Sequence, residues 1–473
     1  MTRDLIPADA GFVVRLAEAL GPDSVRPPEP RYLEEPRGRY LGQAAAVLRP
    51  ASTEAVARAV RLCAEARVGI VPYSGGTGLV GGQVLPTGPM PVLLSFERLN
   101  RIRDVDVTDG ILTAEAGCIL ADVHAAAAEV GRMFPLTLAS EGSARIGGLL
   151  ATNAGGVHVI RYGNARDLCL GVEAVLADGT IVHGLSRVVK DNMGLNPRHL
   201  LIGFEGTLGL ITAASLRLFP ALAETATAWI SVASPAAALA LLARLRAALA
   251  GTISAFELIS VEGLQFLAEV LPQVSLPPAM PGEWRVLVEV DDGPDGNVAA
   301  RLEAALADAM EAGLAGDVLV AQGDGQRAAF WRVRETIPEA NRTIGAIASH
   351  DISVPPSHLP EFIERAGQAI AAIDRSIRIN CFGHLGDGNL HYNAFPARGE
   401  RRDRYDPVRA TVSRTVHDLA HALGGSIAAE HGVGRLKVAD LERYADPGKL
   451  VAMRAVKHAL DPLGILNPGA VLA

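Results

Sequence analysis

Two histidines stand seven positions apart in the segment CFGHLGDGNLHYN, which runs from Cys381 to Asn393. Asp387 and Gly388 form the dipeptide that is typical of a two-residue β-hairpin turn. With that turn, His384 lies opposite His391 on the paired strand, and their Cβ atoms are roughly 5 Å apart. Two imidazoles placed in this way can bind one metal ion, although a polar hairpin with incidental histidines has the same pattern.

A carboxylate and a third histidine stand side by side in the segment IAAEHGVGRLK, from Ile427 to Lys437. Glu430 follows a short apolar run, and a carboxylate buried there without a partner would be costly. Two histidines and one carboxylate form a ligand set that suits Zn²⁺, and manganese or iron would also fit. If the segment is a strand, His431 points to the opposite side from Glu430. Gly432 and Gly434 would let a ligand approach the main chain.

The glycine-rich stretch SGGTGLVGG, from Ser74 to Gly82, contains the pattern G-x-G-x-x-G. This pattern begins the helix of many dinucleotide-binding domains, and a long helix must start within it. Three prolines between residues 86 and 91 prevent such a helix here. The context therefore argues against an NAD site of the Rossmann type.

Two further glycine-rich segments follow in the same half of the chain. ASEGSARIGGLLATNAGGVHVIRYG covers residues 139–163, and FEGTLGLIT covers residues 204–212. Glycines let backbone N–H groups come close to a phosphate or a planar ligand. One such loop could be a purely structural turn, but three together indicate a large cofactor that carries phosphate.

The composition excludes several classes of function. The chain has 473 residues with 49% hydrophobic and 20% charged residues, which is typical of a soluble protein with more than one domain. A net charge of -8 and only 4% aromatic residues argue against nucleic-acid binding. The four cysteines form no C-x-x-C pair, so an iron–sulfur cluster is not expected. No apolar run reaches the roughly 20 residues of a membrane span. The N-terminus MTRDLIPADAGF lacks the core of a signal peptide, so we expect a cytoplasmic protein.

The three glycine-rich segments, quoted more fully as PYSGGTGLVGGQ, GSARIGGLLATNAGGVHVIRYG and LIGFEGTLGLIT, resemble one family. They are similar to the FAD-binding domain of the vanillyl-alcohol oxidase and para-cresol methylhydroxylase (PCMH) superfamily. Some members attach FAD covalently through a histidine in the first loop. Since no histidine occurs in PYSGGTGLVGGQ, we expect FAD to be bound noncovalently.

The same resemblance implies which residues of this chain contact FAD. The first loop would surround the pyrophosphate, and the later segments would line the rest of the cofactor. The implied contacts are Pro72, Ser74, Gly75, Gly76, Thr77, Gly78, Gly82, Pro135, Ser140, Gly142, Ser143, Gly147, Thr152, Asn153, Gly156, Arg161 and Ile211.

The histidine-containing segments resemble a narrower family, the FAD-linked 2-hydroxyacid dehydrogenases of the D-2-hydroxyglutarate and D-lactate type. Its motifs GHxGDGNxH and EHGxG match this chain. The resemblance implies that His384, His391 and Glu430 bind a divalent metal, zinc or manganese, and that His431 is the base. In FWRVRE, Arg334 would bind the substrate carboxylate, with the nearby Arg332 as an alternative. In LGILNPGAVL, Asn467 would return to the flavin.

Both resemblances together imply an α+β fold in two domains. Residues 1–222 would contain an N-terminal segment and the PCMH-type FAD-binding domain. Residues 223–424 would form an α+β substrate or cap domain with an antiparallel sheet, because helices there flank strands that look antiparallel. Residues 425–473 would be a helical segment that returns to the FAD domain.

The implied reaction is oxidation of a D-2-hydroxy acid to the 2-oxo acid, with hydride transfer to FAD. Electrons would leave to an electron-transfer flavoprotein, a quinone or a cytochrome, and a homodimer is expected. The alternatives are an oxidase acting on glycolate or another alcohol, or a flavin-binding subunit without catalysis. One departure concerns the substrate: where 2-hydroxyglutarate enzymes have a lysine, this chain has Ser349.

Overall fold

The computed structural model describes residues 5–292 and 296–472. Residues 1–4, which belong to the N-terminus considered above for targeting, and residue 473 lie outside the described residues. Two compact units are present. The first unit comprises Met1–Gly156, Gly163–Ala221 and Glu430–Ala473, and the second comprises Val157–Tyr162 and Leu222–Ala429.

Strands and helices alternate along most of the chain. In chain order, the strands are β1 (Val25–Arg26), β2 (Val47–Leu48), β3 (Ile70–Tyr73), β4 (Val92–Ser95), β5 (Ile102–Asp106), β6 (Ile111–Glu115), β7 (Arg132–Met133), β8 (Cys169–Val175), β9 (Ile181–Gly184), β10 (Leu210–Arg217), β11 (Phe219–Pro220), β12 (Glu224–Val232), β13 (Ile253–Ser260), β14 (Trp284–Asp292), β15 (Val318–Val320), β16 (Asp351–Ser353), β17 (Arg378–His384) and β18 (Asn389–Phe395). The α-helices are α1 (Ala10–Leu20), α2 (Pro30–Leu33), α3 (Thr53–Ala66), α4 (Leu120–Glu129), α5 (Ile146–Ala151), α6 (Val159–Tyr162), α7 (Arg198–Leu201), α8 (Pro235–Leu249), α9 (Val261–Val270), α10 (Val298–Glu311), α11 (Asp324–Ile344), α12 (Leu359–Ile373), α13 (Asp406–Ala422), α14 (Val438–Tyr444) and α15 (Pro447–Leu460).

The first unit contains two main sheets. One has the order β1-β2-β4-β3, in which β2, β4 and β3 run parallel, and the other is antiparallel with the order β5-β6-β10-β8-β9. Helix α3 begins where the Ser52 hydroxyl accepts the Ala55 N–H at 3.2 Å. Its apolar side, which includes Val56 and Val60, is fully buried in the core of this unit. The glycine-rich stretch of residues 74–82 follows directly on the buried strand β3.

The second unit is built on a seven-stranded antiparallel sheet with the order β15-β12-β14-β13-β17-β18-β16. One face carries an aliphatic core shared with helices α8, α10, α12 and α13. The opposite face packs against α9 and α11 through aromatic side chains that include Trp229, Phe330 and Phe382. An antiparallel sheet flanked by helices is the α+β arrangement that the sequence predicts for this part of the chain.

The described part of the chain contains neither a membrane-spanning helix nor a disulfide. No helix within it is long and apolar enough to cross a membrane. Its four cysteines are buried and unpaired, so no disulfide contributes to the folds of these units.

Candidate active site

The hairpin of β17 and β18 brings the two histidines together, but in a different register from the one predicted. His391 pairs with Phe382 rather than with His384, so four residues, 385–388, connect the strands. The Asp387 carboxylate accepts the Asn389 N–H at 3.1 Å and closes a local turn inside this longer loop. Because the shift is two residues, both histidines remain on one face of the sheet. Their ring centroids are 5.8 Å apart.

Each of these histidines faces a buried carboxylate from a neighbouring strand. On β13, Glu257 pairs with His384, and its Oε1 lies 2.5 Å from His384 Nδ1. On β16, Asp351 pairs with His391, and its Oδ1 lies 3.8 Å from His391 Nδ1. A carboxylate at Nδ1 orients the ring and leaves Nε2 for a metal ion, which is the usual second contact of metal-binding histidines. Sequence reasoning missed both carboxylates.

Glu257 also holds the arginine that was predicted to bind the substrate carboxylate. The Arg334 Nε donates a hydrogen bond to Glu257 Oε2 at 2.6 Å, and the guanidinium lies 4.8 Å from the centre of the Phe382 ring. Arg332 is exposed on the outer side of α11, so Arg334 is the arginine on the histidine side. Burial alone would raise the pKa of Glu257, but the charges of Arg334 and His384 lower it to about 2. Glu257 is therefore ionised at neutral pH, and one carboxylate fixes both partners.

Glu430 and His431 complete two overlapping groups of possible metal ligands. His384, His391 and Glu430 each offer one ligand atom within 4.8 Å of the others, and Asp351, Glu430 and His431 form the second group. The chain around Glu430 is irregular and not a strand, so the predicted alternation of Glu430 and His431 does not apply. The preceding residue is instead anchored to the sheet, because the Ala429 N–H donates to the Asp351 carbonyl at 3.3 Å.

The first glycine loop has the properties of an anion site. Among the described residues, the backbone N–H groups of residues 75–82 donate to no protein acceptor. Such groups need a partner, and a phosphate is a suitable one. A Cβ on Gly75 would overlap the Ser143 carbonyl oxygen, so the loop needs glycine there to pack on the second glycine segment. The Ser74 hydroxyl accepts the Gly148 N–H at 3.0 Å, which joins the same two segments. These residues therefore fit the pyrophosphate of FAD.

The other predicted FAD contacts are distributed over both units. Most lie on the second glycine segment of the first unit or, like Ile211, on strand β10. Asn467 reaches the first glycine loop, since its Nδ2 donates to the Gly82 carbonyl at 3.0 Å. Arg161 is different because it belongs to the second unit, where it forms an ion pair with the Asp291 carboxylate and donates to the Asp291 carbonyl at 2.7 Å. Its contact with FAD stays a prediction.

Comparisons with known proteins agree with both halves of this description. A family model described as "FAD binding domain" matches residues 44–184, and one described as "FAD linked oxidases, C-terminal domain" matches residues 222–471. A probable D-2-hydroxyglutarate dehydrogenase, mitochondrial, from Oryza sativa subsp. indica is 36% identical over 439 residues, which cover 92% of this chain and 76% of that protein. The D-2-hydroxyglutarate dehydrogenase of Xanthomonas citri pv. viticola is 35% identical over 431 residues, which cover 91% of this chain and 90% of that protein.

The fold also matches a solved structure of p-cresol methylhydroxylase with substrate bound. The TM-score is 0.76 at 17% identity, and the match covers 99% of this chain and 98% of that chain. This likeness confirms the α+β fold with a PCMH-type FAD-binding domain, and the sequence identities above confirm the narrower resemblance. The chain belongs to the FAD-linked 2-hydroxyacid dehydrogenases, a family of FAD-linked oxidases.

Proposed function

We propose that this protein oxidises a D-2-hydroxy acid to the corresponding 2-oxo acid, with noncovalently bound FAD as the hydride acceptor. The D configuration rests on the names of the relatives that share about a third of its residues. A divalent ion held by His384, His391 and Glu430 would assist the reaction, and His431 would act as the base.

The observation that carries the metal proposal is the pair of carboxylates behind the two histidines. Glu257 Oε1 lies 2.5 Å from His384 Nδ1 and Asp351 Oδ1 lies 3.8 Å from His391 Nδ1, and carboxylates so placed orient metal-binding imidazoles. Glu430 adds an oxygen ligand within 4.8 Å of both. Two histidines and one carboxylate would be three protein ligands, the number typical of catalytic zinc sites. A divalent ion would there supply Lewis-acid polarisation of an oxygen of the substrate.

The protein's own groups supply orientation and proton transfer. Arg334, fixed at Nε by Glu257, would bind the substrate carboxylate through its Nη edge in a charge-assisted contact. His431 would take the proton of the substrate hydroxyl as general base. Bound FAD would supply the acceptor for the C2 hydrogen and its two electrons. The 2-oxo acid would then be held at Arg334, and the hydroxyl proton on His431.

A dye-coupled assay with D- and L-2-hydroxy acids tests the proposal. The chelator-treated enzyme should regain activity with Zn²⁺ or Mn²⁺ and prefer D substrates. His431→Ala should lose turnover while keeping bound FAD, and His183→Ala, which changes an exposed histidine of the first unit, should keep both. Full turnover of His431→Ala would refute the role of His431 as the base, and full activity after chelation would refute the role of the metal. Oxygen uptake without the dye would favour the oxidase alternative, and no turnover with any 2-hydroxy acid would favour the non-catalytic subunit.

A further inference from the structure

Glu205 is a buried carboxylate in the third glycine-rich segment, and the FAD and metal assignments give it no role. It is only 7% exposed and has a left-handed backbone conformation with φ of +52°. Such a conformation is uncommon for a residue other than glycine and is often found where function constrains the chain.

The carboxylate of Glu205 binds the loop that follows His431. Its Oε1 accepts the Val433 N–H at 2.7 Å, and both of its oxygens lie 3.0 Å from the Gly434 nitrogen. A carboxylate oxygen accepts hydrogen bonds from N–H groups, so one side chain can serve both amides. The two amides at the end of the EHGVG motif are therefore held by a single side chain.

Glycines allow the loop to come this close to Glu205. Gly432 and Gly434 have φ of +78° and +52°, values that favour glycine. A Cβ on Gly432 would lie 2.7 Å from Glu205 Oε1, and one on Gly434 would overlap the Val80 carbonyl oxygen. Gly432 thus permits the approach of the Glu205 carboxylate, and Gly434 permits the approach of Val80 in the first glycine loop.

Arg435, the next residue, ties the same loop to the first glycine loop. Its guanidinium donates to the carbonyls of Gly81 and Gly82 at 2.9 and 3.0 Å and to Asn467 Oδ1 at 2.9 Å. Asn467 in turn donates from Nδ2 to the Gly82 carbonyl at 3.0 Å and to the Glu205 carbonyl at 2.8 Å. Burial lowers the pKa of Arg435 to about 10, and the charge of Glu205 opposes that shift. Burial raises the pKa of Glu205, and the hydrogen bonds from Gly434 and Val433 and the charge of Arg435 oppose that rise.

We propose that Glu205 is a positioning residue for the reaction, which fixes the loop of Glu430 and His431 relative to the FAD pyrophosphate loop. This inference rests on the proposed function, because it takes His431 as the base. Residues 430–432 are held at both ends: Ala429 is bonded to Asp351 on one side, and Val433 and Gly434 to Glu205 on the other. Residues 430–432 lie between these bonds, so loss of the Glu205 bonds removes a restraint on the C-terminal side of the proposed base, where the N–H groups of Arg435 and Leu436 also donate to the Val80 carbonyl.

The test is a Glu205→Gln substitution in the full-length holoenzyme. Glutamine has one oxygen acceptor where glutamate has two. With that oxygen in the place of Oε1, its NH₂ group lies against the Gly434 N–H, and with the amide reversed the Val433 N–H loses its acceptor. A displacement of about 1 Å at a reacting group can cost 10²-fold in rate, so kcat should fall by about 10–100-fold. KM should change less than about threefold, since Arg334 is untouched. Hydrogen exchange at the amides of Val433 and Gly434 should become faster.

Glu115→Gln is the matched control. Glu115 lies in the same unit, is fully buried and is held by Arg101 and Arg103, and it makes no bond to residues 430–435. The Glu115→Gln substitution should lower the melting temperature but leave kcat and the hydrogen exchange of the Val433 and Gly434 amides unchanged. An equal loss of kcat in Glu115→Gln would show that Glu205 acts only through overall stability and would overturn the inference.

A double mutant separates this inference from the proposed function. If Glu205 acts through His431, Glu205→Gln should add little to the loss in a His431→Ala enzyme. Activity in His431→Ala means that the proposed base is wrong, whereas activity in Glu205→Gln but not in His431→Ala overturns only the positioning role. Should Glu205→Gln fail to fold, Arg435→Lys, which keeps the charge but not the planar fork, must show the same loss of kcat. A wild-type kcat in that variant would also overturn the inference.

Discussion

A Glu257→Gln substitution replaces one oxygen of a fully buried side chain that serves two partners. In the wild type, Oε1 lies 2.5 Å from His384 Nδ1, and Oε2 accepts the Arg334 Nε–H at 2.6 Å. Glutamine offers one acceptor and one NH₂ group in the same space. If the NH₂ faces Nδ1, the histidine must keep its proton on Nε2, the atom needed for the metal. If it faces Arg334 instead, two donors meet, and in either orientation the buried guanidinium loses its counter-charge.

The substitution should weaken metal binding and lower the stability of the fold, and both effects can be measured. Loss of the carboxylate behind a metal-binding histidine typically costs about 10–100-fold in metal affinity, or about 1.4–2.8 kcal/mol. Removing one partner of a buried ion pair destabilises a protein by about 3–5 kcal/mol. We therefore expect Glu257→Gln to bind Zn²⁺ or Mn²⁺ about 10–100-fold more weakly and to unfold at lower temperature. The first effect belongs to His384 and the second mainly to Arg334.

Calorimetric titration of the chelator-treated protein, well below its melting temperature, separates the two effects. Glu269→Gln is the control, because Glu269 lies in the same unit and pairs with Arg378 at 3.0 Å but has no histidine partner. The control should lose some stability and no metal affinity. If Glu257→Gln binds metal within about twofold of the wild type while His384→Ala does not bind it, the role of Glu257 in orienting the histidine is refuted.

Three further predictions concern FAD binding, pH and substrate choice. Gly75→Ala should be purified without FAD, because the new Cβ overlaps the Ser143 carbonyl, whereas Gly325→Ala, which meets open space, should keep its flavin absorbance. Although burial alone would raise the pKa of Glu173, hydrogen bonds from an arginine and two threonines hold it below the ordinary value of 4.5. Because the folded state binds fewer protons at Glu173 than the unfolded state, the wild type should be more stable than Glu173→Gln above about pH 4.5. Urea unfolding should show this difference in stability shrinking as the pH falls, and a difference that does not change with pH would contradict the prediction. Ser349→Lys, at an exposed position, should raise kcat/KM for D-2-hydroxyglutarate relative to D-lactate, and an unchanged ratio would exclude a role for this position.

Local sequence patterns predicted the features whose structure depends on residues that are close together in the sequence. The Ser52 cap and the failure of a Rossmann helix follow from single residues and short-range sterics, and both agree with the structure. The hairpin of His384 and His391 was found from its turn dipeptide, but its register was wrong by two residues. Turn propensity favours a short loop, whereas pairing with the neighbouring strands decides the register. The prediction that both histidines lie on one face was still correct, because side chains alternate with a period of two and the register differs by two residues.

Carboxylates that support the histidines could not be found in this way, since their contacts depend on the order of strands in the sheet. Glu257 is 127 positions from His384 and meets it only because β13 and β17 are neighbours. A third pair repeats the arrangement: on β14, Glu289 Oε1 lies 3.7 Å from His158 Nε2.

The Glu289 carboxylate is held from two further elements of the same unit. Its Oε2 accepts hydrogen bonds from Thr227 on β12 at 2.9 Å and from the Trp331 indole on α11 at 2.6 Å. Burial alone would raise the pKa of Glu289, but the hydrogen bonds from these groups and from His158 lower it. An ionised carboxylate inside a protein is costly without partners. The sheet must therefore reach its native register before Glu257 and Glu289 are both compensated, so the fold of this unit itself sets the contact between Glu257 and His384.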